Sequence, residues 1–376
     1  MQNKNIKLPL RPKLSVSYHV IGMDDDRVQF RNGQDLFVIK GPGLLNLVHT
    51  LFPLLTGELT VEEILAHMDE KHPPEAILKL LHRLVQRRVV RDAINNQFDV
   101  PGVSEFQKAY FSQFTHRPKS NLTALAKSRV TVLGLGPLGA SVAEILARSG
   151  VGSIEVSDEQ PVTKDDLLLS AYSEDTVGIT RECAMAHFGE KTFPTTTWSF
   201  TSLPSEESPV YEASDYMIVC LENYRPDILD RVNDFSLAYG TPYTWCCLDS
   251  LSGTVGPTVL PHETACFNCY RTRVNANADY PEELQVYEDQ LMSNGNSTVF
   301  GYLPPHIQIL SGLVSLEVIK DLSGLTPPLT YNAQLEINLL NMEFALHSVL
   351  KLPRCTSCGR HLSSGAPVRP FDEMEA

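Results

Sequence analysis

The chain contains no apolar run of the ~18 residues that a membrane span requires. Its first residues, Met1-Gln-Asn-Lys-Asn-Ile-Lys7, lack the apolar core of a signal peptide. Both absences point to a cytoplasmic protein without a membrane partner. Positive charge is also short: 31 Lys and Arg stand against 45 Asp and Glu, a formal net charge of −14. That balance argues against a nucleic-acid surface as the main partner. The deficit lies beyond residue 120, because the N-terminal third is mildly basic. Internal repeats are missing, and the only biased tract is a Ser, Gly and Pro tail over 361–376 that ends in acids, read as mobile. The 376 residues suffice for two or three domains of about 100–200 residues each. A hydrophobic content of 43% predicts a well-buried core. Eight cysteines in a cytoplasmic chain point to metal or thiol chemistry more than to disulfides.

The organising stretch runs from Ser128 to Gly139. Val130, Val132 and Leu133 read as a buried parallel strand, and Gly134, Gly136 and Gly139 make a G-x-G-x-x-G turn into a helix that runs to about Ser149. The glycines permit a tight turn, and the helix start offers free N–H groups to an anion. A second strand, Ser153–Asp158, ends 24 residues after Gly134. A dinucleotide-type fold places its ribose-binding acid about 20 residues on. The competing reading is a Rossmann-like unit that binds nothing.

Residues 1–95 read as a separate winged-helix-like α+β module. Leu14–Ile21, Val28–Arg31 and Leu36–Lys40 form three strands, with turns at Asp24–Asp26 and Asn32-Gly33. Three helices follow. Leu44 to Phe52 line the first, a Thr60–Glu63 capping box opens the second, and Pro73-Pro74 starts the third. The third carries Ile77, Leu78, Leu81, Leu84 and Val85 as one stripe, and Val89-Val90 closes the module as a short strand. Lys79, His82, Arg83, Arg87 and Arg88 on the third helix keep nucleic-acid binding open for this shape. The alternatives are a plain packing domain, or capture of an extended peptide as an added strand. Residues 96–125 form a linker or arm whose Phe106, Tyr110, Phe111 and Phe114 are expected to dock on a neighbouring core.

From 126 to 360 strands and helices alternate. Tyr216–Leu221, Pro242–Leu248, Thr254–Leu260 and Leu335–Leu340 read as strands, and Ile307–Leu322 as a long buried helix. The pattern predicts a mostly parallel sheet covered on both faces. Cys266-Phe-Asn-Cys269 and Cys355-Thr-Ser-Cys358 are two C-x-x-C pairs 85 residues apart. Four thiolates in two knuckles satisfy a structural, tetrahedral Zn2+ with no open position for water; a redox pair is the alternative. Cys220 and Cys246 read as core residues, with a nucleophilic role for Cys246 or Cys247 as the competing view.

The glycine loop, Asp158, the strand end at Ile218–Asn223, the long helix and the paired cysteines follow one another in an order that resembles the ThiF/MoeB-type adenylating enzymes, relatives of ubiquitin-activating enzymes. The resemblance covers residues 125 to 360. It implies a Rossmann-like fold in which the loop and acid hold ATP for attack by a protein carboxylate, and a homodimer. The departures are specific. That family carries an Asn-Leu-x-Arg-Gln run where this chain has Leu167-Leu-Leu-Ser-Ala171, a lysine where Arg181 stands, and a metal-holding aspartate at the position of Glu222. These changes remove charge compensation that adenylation requires. The expectation is a domain that no longer adenylates, with ATP binding doubtful.

With the front module added, the chain resembles the leader-peptide-binding partners of azole-forming cyclodehydratases, the ocin-ThiF-like proteins of ribosomal-peptide and bacteriocin biosynthesis. There a PqqD-like recognition element takes the precursor's leader as a strand between its third strand and third helix. A YcaO-type protein then uses ATP to cyclise Cys, Ser or Thr to thiazolines or oxazolines. The resemblance implies that a leader would pair with Asp35, Leu36, Phe37, Val38, Ile39 and Lys40. Its apolar residues would pack near Leu78, Leu81 and Val85, and its acids would meet Lys79, Arg83 or Arg87. An adenylating enzyme acting on a peptide or carrier-protein carboxylate is the alternative.

Overall fold

A computed structural model describes residues 8–15, 18–33, 35–68, 71–93, 100–115, 117–201, 214–294 and 301–359. The tail expected over 361–376 lies outside the described residues. The chain divides into two compact units, Met1–Val100 with Ser104–Leu122, and Pro101–Val103 with Thr123–Ala376.

The first unit holds strands β1 (Pro12–Leu14), β2 (His19–Asp24), β3 (Arg27–Arg31) and β4 (Leu36–Lys40). Helices α1 (Leu44–Leu51), α2 (Val61–His67) and α3 (Pro74–Gln86) follow, and β5 (Val90–Asp92) comes after them. β2, β3 and β4 form an antiparallel sheet in that order, while β1 pairs with β5. The continuous strand expected over Leu14–Ile21 is therefore two strands in two sheets. Period-2 patterning buries Val28, Phe30 and Ile39 against Leu47, Leu51, Ile64, Leu81 and Leu84. The Thr60–Glu63 capping box is formed at the start of α2. The buried stripe of α3 is Ile77, Leu80, Leu81 and Leu84; Leu78 and Val85 are only half-buried. The arm is helical, with α4 (Glu105–Phe114) and α5 (Pro118–Lys127). Phe111 is buried there, but Phe106 is 88% exposed, and Tyr110 and Phe114 are also exposed. The expected docking of all four aromatics is corrected to one.

The second unit is built on an eight-stranded sheet of order β13-β12-β11-β10-β9-β6-β7-β8. The strands are β6 (Arg129–Leu133), β7 (Ser153–Ser157), β8 (Thr197–Phe200), β9 (Tyr216–Leu221), β10 (Tyr243–Asp249), β11 (Ser252–Val255), β12 (Ala333–Asn338) and β13 (Glu343–Ser348). β10, β9, β6, β7 and β8 run parallel; β11, β12 and β13 extend the β10 edge as an antiparallel meander. The helices are α6 (Pro137–Arg148), α7 (Lys164–Leu169), α8 (Arg181–Thr192), α9 (Pro226–Tyr239), α10 (Phe267–Asn277), α11 (Pro281–Asn294) and α12 (Pro304–Ser323). β9 is buried along its whole length, as a strand covered on both faces must be. One face packs on α6 and α12 through Val130, Val132, Leu146, Leu310 and Val314. The other packs on α9 and α10 through Met217, Leu229, Trp245 and Phe267. α12 stops at Gly324, whose φ of 62° suits glycine at a helix end. No helix among the described residues is long and apolar enough to cross a membrane.

Candidate functional site

Three places carry chemistry: the β4 edge of the first unit, and a glycine-loop crevice and a cysteine cluster in the second.

β4 ends its sheet, so among the described residues one side of the strand has no ladder. The hairpin fixes which backbone groups face that side. Asn32 N–H donates to Asp35 O, and Gly41 N–H donates to Asp26 O. Hydrogen-bonded pairs alternate along an antiparallel ladder. With Phe30 opposite Phe37 and Val28 opposite Ile39, residues 37 and 39 point their backbone groups at β3. Leu36, Val38 and Lys40 then present theirs at the open edge. Their side chains are exposed too, Leu36 at 55% and Val38 at 36%. Phe37 stacks on Phe30 at 5.0 Å, and the Arg87 guanidinium lies 5.0 Å from the Phe37 ring. Asp35 accepts the Tyr18 hydroxyl at 3.0 Å. Lys79 and Arg83 are exposed on α3. Lys40 lines a depression with Asp24, Asp25 and Arg27. One of the three expected apolar contacts, Leu81, is 0% exposed and lies inside the core, as does the side chain of Ile39 at 7% on the expected pairing strand. Leu78 and Val85 keep some surface.

In the crevice, Gly134 has φ 82°, and a Cβ there would fall 2.3 Å from Cys220 O. A Cβ on Gly139 would fall 1.8 Å from Gly134 O, so neither position admits a side chain. Asp158 Oδ2 accepts the Leu135 N–H at 2.8 Å, and Glu222 Oε1 accepts the Leu138 N–H at 2.9 Å. Arg181 reaches Asp158 at 3.3 Å and holds both oxygens of Asp166, at 2.9 and 3.0 Å. Asp166 is only 3% exposed and also caps α7 by accepting from the N–H and hydroxyl of Thr163. The Tyr172 hydroxyl donates to Leu135 O at 2.7 Å. Burial pushes the Glu222 carboxyl up to about 7, against the pull of the Leu138 amide and Arg181. Asp166 and Tyr172 were not expected at the site; the Thr163-x-x-Asp166 capping pattern was the available signal for the first.

Cys266, Cys269, Cys355 and Cys358 are buried, with all four sulfurs within 4.8 Å of one another. Cys266 lies 3.8 Å from Cys269 and 3.6 Å from Cys355, and Cys269 lies 3.5 Å from Cys358. A disulfide needs about 2.05 Å. Tetrahedral Zn2+ with bonds of about 2.3 Å places its sulfurs about 3.8 Å apart. The donor set fits a metal ion such as zinc. Around it, Leu352 N–H points at Cys269 Sγ at 3.4 Å, and the Asn268 amide donates to Thr356 and Ser357 in the opposite knuckle. Cys246 and Cys247 are buried, and that burial raises both thiols, which disfavours a nucleophile at either position.

A mixed, largely parallel sheet with a glycine loop at one strand end, and a four-cysteine cluster that joins the start of α10 to the segment after β13, define a ThiF-type domain. The ThiF family model matches residues 110–359, and the chain belongs to that family. Among relatives, the protein HesA of Leptolyngbya boryana is 25% identical over 256 residues, covering 67% of this chain and 82% of HesA. The sulfur carrier protein ThiS adenylyltransferase of Bacillus subtilis is 29% identical over 162 residues, 39% of this chain and 44% of that one. Among solved structures, E. coli MccB with MccA-N7isoASN matches at TM-score 0.72 and 17% identity, covering 93% of this chain and 99% of MccB. The heterocyclase TruD matches at TM-score 0.61 and 19% identity, covering 97% of this chain and 47% of TruD. At these identities the two structures show the fold.

Proposed function

We propose that this chain binds the leader of a ribosomally made precursor peptide and presents it to a YcaO-type cyclodehydratase that forms thiazolines or oxazolines. Residues 1–95 act as a winged-helix-like, PqqD-like recognition module. The observation that carries the reading is the open edge of β4, where Leu36, Val38 and Lys40 offer three sets of backbone groups, unpaired among the described residues, in register for an added strand. Apolar leader residues pack at Leu78 and Val85, and acidic ones meet Lys79, Arg83 and Arg87. Exposed ion pairs add only about 0–1 kcal/mol each, so the apolar contacts dominate affinity. Likeness to MccB, solved with a peptide, and to a heterocyclase supports both the peptide partner and the ring-forming context. The four cysteines hold a structural Zn2+. A homodimer through the exposed side of α12, where Gly312 and Leu316 reach the surface, completes the reading. Fluorescence polarisation of labelled extended peptides on the full chain tests it; binding that does not involve the β4 edge sinks it.

A working adenylating enzyme is the second reading, favoured by the retained glycine loop and by the solved complex of MccB with ATP. Pyrophosphate exchange into ATP by the purified chain with candidate peptides separates the two. Robust exchange supports the enzyme, and its absence supports the scaffold.

A further inference from the structure

Membership of the ThiF family implies a nucleotide at the glycine loop, and the side chains around the loop do not fit one. The first amides of a helix lack partners within it and form an anion site by construction. On α6 that site is filled from within the chain. Glu222 Oε1 accepts the Leu138 N–H at 2.9 Å. The two Glu222 oxygens lie 2.1 and 2.4 Å from where a Cβ on Gly136 would sit, so the loop's middle glycine makes room for this carboxyl group. The preceding Leu135 amide is taken by Asp158. Arg181 is already engaged by Asp158 and Asp166. An incoming polyphosphate would meet the Glu222 carboxyl group on the helix amide and two carboxylates, Asp158 and Asp166, that already share the one guanidinium. Topology explains the proximity: β6 and β9 are parallel neighbours in register, Leu133 beside Val219, so the chain leaving β9 emerges next to the glycine loop.

We infer that Glu222 is a built-in occupant of the phosphate position, capping α6 and closing the glycine loop to polyphosphates. The loop then acts as a strut between the end of β9 and α6. The inference is independent of the guest-strand reading and stands even if β4 binds nothing.

Isothermal titration of the full chain with sodium pyrophosphate, with and without Mg2+, tests it on wild type, Glu222→Ala and Glu222→Asp. The expected result is no binding by wild type and a gain of about tenfold or more in pyrophosphate affinity on removing the side chain. Glu222→Asp, one methylene shorter, should show an intermediate gain. Wild-type binding that is lost in Glu222→Ala overturns the inference. A readout that needs no variant covers the case in which the variants do not fold or none binds. In wild type the Leu138 amide resonance should shift with the same pH midpoint as the Glu222 carboxyl carbon, and an amide that stays put overturns the inference.

Discussion

Arg181 grips Asp166 with two nitrogens, Nη2 at 2.9 and 3.0 Å and Nε at 3.2 Å, inside a crevice where Asp166 is almost fully buried. The pair is structural: it ties the start of α8 to the first turn of α7, and it leaves the only guanidinium described at the loop already matched. Asp166→Ala strips Arg181 of this partner and α7 of its reciprocal cap. The expected cost is about 3 kcal/mol by urea unfolding, most of it from a half-buried guanidinium left with Asp158 alone. A cost under about 0.5 kcal/mol would place the pair among ordinary surface ion pairs.

Stability should fall with rising pH through Glu222. Its carboxyl is raised from the ordinary value of 4.5 to about 7, first by burial and then by the carboxylates of Asp158 and Asp166, partly offset by the Leu138 amide and Arg181. Between these two pH values the folded chain keeps a proton that the unfolded chain has released, so increasing pH weakens the fold across that window. Glu222→Gln removes the effect. The variant should match wild type near pH 4.5 and exceed it by about 2 kcal/mol at pH 8, below the full shift because Glu222 keeps some solvent contact. A difference independent of pH contradicts this assignment.

Metal removal should loosen the second unit. Inductively coupled plasma analysis is expected to find about one zinc per chain, and a chelator strong enough to extract it should lower the unfolding midpoint by several degrees. Cys355→Ser should abolish the zinc content and reproduce the lowered midpoint. Full zinc occupancy in Cys355→Ser would remove that residue from the ligand set.

Neighbouring residues on β4 should respond differently to proline. Val38→Pro deletes an N–H that faces the open edge, so the fold should persist while peptide affinity drops by about tenfold, the value of one to two backbone hydrogen bonds. Phe37→Pro deletes an N–H bonded to β3 and the ring stacked on Phe30, so the unit itself should lose about 3 kcal/mol or more. Circular dichroism separates the two outcomes, and equal unfolding by both variants contradicts the alternation assigned to β4.

Most of the parallel half of the large sheet was legible because strands covered on both faces read as largely apolar runs, as Val130–Leu133 and Tyr216–Leu221 do, but the edge strand β8, Thr197-Trp-Ser-Phe200, was not. In the antiparallel extension β11 and β12 were legible in part, as the strands read over Thr254–Leu260 and Leu335–Leu340, and β13 was not. β13, Glu343-Phe-Ala-Leu-His-Ser348, is exposed on every residue and shows no alternation of burial. β1 and β5 are three residues each and hold together by pairing across most of the first unit, which no local pattern announces. On α3 the apolar residues at 77, 78, 80, 81, 84 and 85 allow two neighbouring stripes, and packing selects 77, 80, 81 and 84. That choice sends Leu81 into the core. The cysteine spacing named the cluster outright. The glycine loop was equally plain, but its occupation by Glu222 depends on one side-chain conformation across a parallel strand pair, which no sequence spacing encodes.

Residue-resolved hydrogen exchange on β4 tests the central claim most directly. The probe is a peptide selected on the full-length chain from a displayed library of extended acidic and apolar sequences. Bound peptide should slow exchange at the Leu36, Val38 and Lys40 amides and leave Phe37 and Ile39, already bonded to β3, unchanged. Protection that appears elsewhere while those three amides exchange as in the free chain would contradict the account.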